Sequence, residues 1–284
     1  MATRITTALT ASIESALARD SNRDVPDTAV RWLGHATVEV ELDGVRLLTD
    51  PVLAPFAPFV ERRALERAVP APERLDAVLI SHAHHDHLHL PSLHALSECT
   101  LVVCPEGLAE WLYRRGVRNV AELRVGGHLD IEGIRIHATP AAHQGTRLPI
   151  GPSAPALGYL IEGTTAIYFA GDTGLFDGMA DLSRRLDSRV ATALLPVGGW
   201  GPTLRGGHMD PRLAAEALRR LQPAQAIPIH WGTYWPRGLG RVRPQRFHLP
   251  GPAFAREAAE AAPAVQIDVL RPGDAIRLGA PHAA

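Results

Sequence analysis

The 284-residue sequence predicts an α/β layered architecture. Three observations carry this. Apolar strand-like stretches alternate with helical segments along the chain. Residues 37–50 and 157–172 repeat one order: strand, acidic-glycine turn, strand, aspartate. Polar residues with ligand chemistry fall at the ends of apolar strands.

Residues 37–42, TVEVEL, alternate apolar with polar, and Asp43 with Gly44 makes a hairpin turn. The chain returns over 45–48 and stops at Asp50 before Pro51. In the second half 157–161 is strand-like, Glu162 and Gly163 turn, and 166–170 returns toward Asp172. The match puts Asp50 and Asp172 in corresponding places of two similar halves. Further strands are read at 75–80, at 101–103 between Cys99 and Cys104, at 134–142 and at 226–229.

Helices are predicted over 91–97, with Pro91 in the first turn, over 105–115, ended by Gly116, and over 178–186. Asp210 reads as an N-cap with Pro211 at the first helical position. Leu213, Ala214, Ala217, Leu218 and Leu221 then mark one helix face. Pro- and Gly-rich loops occupy 51–60, 145–156, 198–207 and 235–252. Residues 1–29 form an N-terminal extension whose stretch 5–19 reads equally as a packing helix or a frayed tail. Residues 30–284 read as a single domain.

Composition is that of a soluble globular protein: 46% hydrophobic, 21% charged, formal net charge -1. Near-neutral charge removes the argument for nucleic-acid binding. No run of 18 apolar residues occurs and the N-terminus makes a poor signal peptide, so no stable membrane association is expected. Two cysteines without CxxC spacing fit a reducing, cytoplasmic setting.

Residues 81–90 read SHAHHDHLHL. Five histidines and one aspartate within positions 82–89, directly after an apolar strand, point to a metal site. A core built this way would need a hydrogen-bond partner for each buried imidazole. In an extended loop His82 and His84 point the same way and can chelate one ion, while Asp86 and His87 face a second. His143, Asp172 (in FAGDTG) and His230 (in IPIHWGT) recur at strand ends. His85, His89, His94, His128, His137, His248 and His282 read as solvent or packing residues.

HxHxDH followed by isolated His, Asp and His at strand ends resembles the metallo-β-lactamase superfamily, over about Val30 to His230. The resemblance implies a four-layer αββα sandwich. It implies one divalent ion on His82, His84 and His143, another on Asp86, His87 and His230, and Asp172 as the bridge. Asp50 corresponds to an aspartate that orients a ligand histidine. WLGHATVEVELDG, LLTDPV, SHAHHDHLHLPSL, GGHMDP and IPIHWGTY resemble one branch more narrowly. That branch includes N-acyl-phosphatidylethanolamine-hydrolysing phospholipase D and phosphorylated-ascorbate lactonases. His35 and His208 are its extra histidines. His208 precedes a helix start, where anionic groups are favoured, with Arg205 three residues earlier. It is read as touching substrate or donating a proton, set against a structural loop hydrogen bond. His35 is read with Asp50 and Arg205 as supporting the ligands or the substrate.

The expected activity is hydrolysis of a phosphodiester, lactone or ester by a hydroxide shared between two divalent ions, Zn2+ first, with Mn2+ or Fe2+ as alternatives. GxSxG is absent and neither cysteine has a nearby histidine, so covalent catalysis lacks a candidate. Diiron redox chemistry is the alternative from another class. Redox members resemble HxExD at the first motif, where this chain has His84. A nuclease is a further alternative, disfavoured by charge. Phe56, Phe59, Trp200, Tyr234 and Trp235 are read as pocket walls for a small-molecule substrate, anionic ones included, and homo-oligomerisation is left open.

Overall fold

The computed structural model describes residues 28–64, 72–182, 190–198 and 207–278. The expected helix at 5–19, Trp200 and Arg205 lie outside the described residues.

Alternation builds the first hairpin as expected. In β2 (Thr37–Leu42), Val38, Val40 and Leu42 are buried while Glu39 and Glu41 are half-buried. It pairs antiparallel with β1 (Ala29–Gly34) and with β3 (Val45–Thr49). Asp43 and Gly44 both take positive φ, 54° and 85°, the handedness a two-residue hairpin turn requires. The sheet continues in parallel through β5 (Ala77–Leu79), β6 (Leu101–Pro105) and β7 (Val120–Leu123). On its other edge β16 (Ala275–Arg277) pairs with β1.

A second seven-stranded sheet runs β15-β13-β12-β11-β10-β9-β8. Its strands are β8 (His128–Ile131), β9 (Ile134–Pro140), β10 (Leu157–Glu162), β11 (Ala166–Phe169), β12 (Val190–Pro196), β13 (Gln225–Ile229) and β15 (Gln266–Ile267). Here β10 and β11 are antiparallel and β11 and β12 parallel. The first sheet has the same succession in β2, β3 and β5. The two equivalent hairpin turns touch. Asp43 accepts from Thr164 N and Thr164 Oγ1, both at 2.6 Å. A short ribbon of β4 (Val60–Arg62) and β14 (Tyr234–Pro236) stands apart.

The inner faces of both sheets share one core, including Trp32, Val40, Leu47, Ile136, Tyr159, Phe169 and Ile227. Leu160, Tyr168 and Leu195 face outward from the second sheet onto helices Pro211–Leu221 and Pro250–Ala261. Leu48, Val78, Ile80 and Val102 face outward from the first sheet onto helices Leu90–His94 and Ala109–Tyr113. The order of layers is αββα.

Several boundaries differ from the sequence reading. Pro105 ends β6, paired with Leu123, and the helix starts only at Ala109. A proline tolerates a strand end because the ladder there does not need its missing N–H. The helix expected over 91–97 spans Leu90–His94, and that over 178–186 is a 3-10 turn, Asp177–Asp181, with residues 183–189 outside the described set. The loop 235–252 holds a short helix, Gln245–His248, and the start of Pro250–Ala261. Pro250 and Pro252 sit in that first turn, where their missing N–H groups cost no helical bond. Asp210 caps its helix as expected, accepting from Leu213 N at 2.8 Å. Leu213 itself is 39% exposed, and Ala215 takes its place on the buried face. Among the described residues no helix is long and apolar enough to cross a membrane.

This register gives a direct test by urea denaturation. Leu218→Ala, at a fully buried position, should cost about 2–5 kcal/mol. Leu213→Ala should stay within about 0.5 kcal/mol of the parent.

Candidate metal centre

The ends of β3, β5, β9, β11 and β13 deliver the chemistry. Asp50 follows β3, Ser81 and His82 follow β5, His143 follows β9, Asp172 follows β11 and His230 follows β13. Asp50, Ser81, His82 and His87 have no solvent exposure.

Asp50 sits beneath the loop and takes three hydrogen bonds. Ser81 N donates to Oδ1 at 2.7 Å, while Ser81 Oγ and His87 Nδ1 donate to Oδ2, each at 2.6 Å. Because the Ser81 hydroxyl gives its proton to Asp50, its oxygen accepts from His82 Nδ1 at 2.9 Å. His143 Nδ1 donates to Gly207 O at 2.9 Å, and His230 Nδ1 donates to Gly198 O. Each of these four rings is thereby fixed with Nε2 turned inward.

The inward atoms meet one another. His82 Nε2 lies 2.9 Å from His84 Nδ1, which lies 3.2 Å from His143 Nε2. His230 Nε2 lies 3.3 Å from His87 Nε2. Asp172 reaches His87 Nε2 through Oδ2 and His230 Nε2 through Oδ1, both at 3.2 Å. Buried Asp172 Oδ1 has no hydrogen-bond partner. Asp86 Oδ2 lies 3.9 Å from His87 Nε2 and 4.0 Å from His230 Nε2.

Electrostatics point the same way. Burial, reinforced by His87, pulls the His82 imidazole well below the ordinary histidine value. Burial also lowers His143 to about 4. For Asp86 and Asp172, burial opposes the charged form, but His87 with His35 and His230 with His87, respectively, outweigh it. Both carboxyls are held well below their usual range. Burial also pulls on His87, yet Asp172, Asp50 and Asp86 together raise it well above the ordinary value. A buried cluster with this charge balance suits a cation at its centre. Facing imidazole nitrogens, an orphaned carboxylate oxygen and an all-nitrogen-and-oxygen donor set fit divalent metal ions. Four donor groups could hold one: His82, His84 and His143; His35, Asp86, His87 and His230; His82, His87 and Asp172; and His143, Asp172 and His208.

The two extra histidines come to the same place. His35 is buried, donates from Nε2 to Asp86 Oδ2 at 3.1 Å, and lies with its ring centre 3.9 Å from that of His230. Burial, with His230 adding to it, lowers His35 to about 3. His208 Nδ1 stands 3.6 Å from Asp172 Oδ2, with its ring 4.7 Å from His143. His208 is the more open of the pair, with 23% of its side chain exposed. Gly207 before it has φ +84°, and a Cβ there would fall 2.9 Å from His143 Nδ1. Of the expected pocket walls, Tyr234 and Trp235 line a small cavity with His35 and His230, Tyr234 donating to Val52 O at 2.7 Å and Trp235 packing edge-on against Phe247. Phe59 is 60% exposed.

Sequence reasoning missed Ser81, the hydroxyl between Asp50 and His82. It also missed Arg147, which is buried under the ligand loop and donates from Nη1 to Ala83 O and Leu88 O at 2.9 and 2.8 Å. His89, read as a solvent or packing residue, packs in the interior with its Nδ1 2.7 Å from Ser92 Oγ. His85 bonds Leu148 O at 3.1 Å.

Residues 45–231 match the family described as a beta-lactamase superfamily domain. A UPF0173 metal-dependent hydrolase of Methanopyrus kandleri is 32% identical over 252 residues, 86% of this chain and 97% of the relative. N-acyl-phosphatidylethanolamine-hydrolyzing phospholipase D 1 of Caenorhabditis elegans is 31% identical over 72% of this chain and 63% of its own length. Among solved structures, Igni18, a metallo hydrolase from Ignicoccus hospitalis, aligns with TM-score 0.66 and 25% identity, covering 88% of this chain and 97% of that one. The diiron beta-hydroxylase CmlA of Streptomyces venezuelae aligns with TM-score 0.68 and 22% identity over 90% of this chain and 55% of its own. That last likeness speaks to the fold alone. The chain belongs to the metal-dependent hydrolases of the metallo-β-lactamase superfamily.

Proposed function

We propose that this protein is a dinuclear hydrolase that cleaves a phosphodiester, lactone or ester bond of a small-molecule substrate. The observation that carries the reading is the pair of facing donor sets joined by Asp172. His82, His84 and His143 would hold one ion, Asp86, His87 and His230 the other, and Asp172 both. The nitrogen and carboxylate donors suit zinc first, with manganese or iron as alternatives. When bound, two such ions supply an activated water and Lewis-acid polarisation of the scissile group.

The remaining work falls to side chains of this chain. Asp50 fixes the tautomers of His82, through Ser81, and of His87 directly. His35 holds Asp86 in place from the side away from solvent. His208 is a partly exposed imidazole close to Asp172 and His143. It is placed to give a proton to a leaving oxygen or to hold an anionic group. His84, at the position where redox members carry a carboxylate, favours hydrolysis over diiron chemistry. The near-neutral charge of the chain favours a small substrate over nucleic acid, with no stable membrane association. Cys99 and Cys104 are unpaired, consistent with a cytoplasmic location.

The deciding experiment is metal analysis with a hydrolysis screen of phosphodiesters, lactones and carboxylic esters. Wild type should carry two ions per chain. Asp172→Ala should lose activity by more than the roughly 10–100-fold typical of residues that merely support ligands. Equal activity of the two proteins, or less than one ion in wild type, rejects the reading. His208→Gln should keep its metal content while kcat falls by about 10²-fold or more, the contribution expected of a proton donor. Asp50→Asn should lower metal affinity by about 10–100-fold at both positions, because one carboxylate orients a ligand of each. Chelator competition reads that loss, and a loss confined to one ion would refute the shared role.

A further inference from the structure

We propose that Arg147 is a positioning residue for the metal centre, shaping the ligand loop by holding the carbonyls at both of its ends. The inference rests on the metal reading above and deepens it. Arg147 lies four residues after His143 and is 9% exposed. One guanidinium nitrogen, Nη1, donates to Ala83 O at 2.9 Å and to Leu88 O at 2.8 Å. His84, Asp86 and His87 all hang between those two residues. The loop is also closed from within, His87 N and Leu88 N both donating to His84 O at 3.1 and 2.8 Å. Arg147 therefore pins from outside a turn whose inner side presents the ligands.

The surroundings suit a clamp rather than an ion pair. Among the described residues the Asp86 carboxylate acts on Arg147 through its charge without forming a salt bridge with it. Through Nη1 the buried guanidinium makes two charge-assisted hydrogen bonds whose loss would leave two carbonyls under the loop unpaired. The Trp111 ring lies 5.3 Å from the guanidinium carbon. Arg147 N donates to Pro152 O at 3.0 Å, closing its own segment. Gly151 leaves room for the stem: a Cβ there would fall 2.7 Å from Arg147 Cβ and 2.8 Å from Cγ and Cδ. Arg147, the turn that carries it and the glycine that admits it form one unit aimed at the ligand loop.

The test uses full-length protein stripped with a chelator and titrated with Co2+, whose d–d absorption reports ligand geometry. Affinity is read by competition with a chromophoric chelator. Arg147→Met keeps the apolar stem and removes both donors. It should weaken Co2+ binding by about 10–100-fold and change the d–d bands. Arg147→Lys should recover part of both, since an ammonium can still donate to two carbonyls. Gly151→Val should shift the bands in the same direction, because it displaces the stem without removing the charge. Wild-type affinity and bands in Arg147→Met overturn the proposal even if the metal-free protein melts earlier, since that pattern belongs to packing alone. If Arg147→Met does not fold, unchanged affinity and bands in Gly151→Val overturn it. A wild type that takes up no Co2+ overturns the metal reading and this proposal together. A wild type that loads normally beside variants that load equally well overturns the proposal only.

Discussion

One buried carboxylate sets the geometry of the centre. Asp50 takes three hydrogen bonds, reaching His87 directly and His82 through the Ser81 hydroxyl. Two rings from opposite ends of the loop are thus referred to one oxygen pair at the end of β3. The arrangement is costly alone. Asp50, Asp86 and Asp172 bring three carboxylates together, while burial keeps the neighbouring His82 and His143 uncharged. His87, faced by all three carboxylates, is pushed toward its cationic form. Charges gathered this way are tolerated when a cation pairs with them. A cation that binds the folded chain and not the unfolded one also stabilises the fold by mass action.

The fold supplies the rigidity this requires. Several residues of the centre leave ordinary backbone conformation where strand becomes loop: His35 at φ 54°, Asp50 at 33° and His230 at 62°. Such conformations cost of order 1–3 kcal/mol each and persist only where the surroundings over-determine them. The surroundings do so. Asp50 N is bonded to Leu79 O and Asp50 O receives Thr37 Oγ1. His230 N donates to His35 O, whose own N is held by Thr233 Oγ1 at 2.7 Å. Trp32 Nε1 donates to that same His35 carbonyl and its ring stacks on Trp231, 5.4 Å away. Strain at the metal end of the sandwich is therefore anchored in the core between the sheets.

What was legible in the sequence follows from range. Hairpin turns, strand ends and the Asp210 cap are decided by neighbours within a few residues, and they could be read. The histidines could be read because ligand types at strand ends repeat a pattern. The helix boundaries could not, because tertiary pairing decides them: Pro105 stays in β6 by pairing with Leu123. Proline richness concealed the helix from Pro250, since the same residue marks a loop and a helix start. Leu213 fitted the apolar stripe but lies where that stripe emerges into solvent. Arg147 left no signal, because an arginine bonded to carbonyls is written nowhere in local sequence. Ser81 had a weak one, a hydroxyl between the apolar strand and the first ligand.

Under the proposed assignment the two donor sets are not equivalent, and the difference has chemical consequences. His82, His84 and His143 offer three imidazole nitrogens and no charge. Asp86, His87 and His230 offer two nitrogens and a carboxylate, which His87 and the hydrogen bond from His35 hold in its charged form against burial. With Asp172 common to both, a divalent ion held on the all-histidine side would keep more of its positive charge. An electron-rich oxygen of a substrate would be favoured on that side. His208, whose ring lies 4.7 Å from His143 and 6.3 Å from His230, stands nearer the same side. The polarity of the centre would thus follow from where the chain places its carboxylates, and the partly exposed His208 imidazole lies on the side where developing negative charge would be better received.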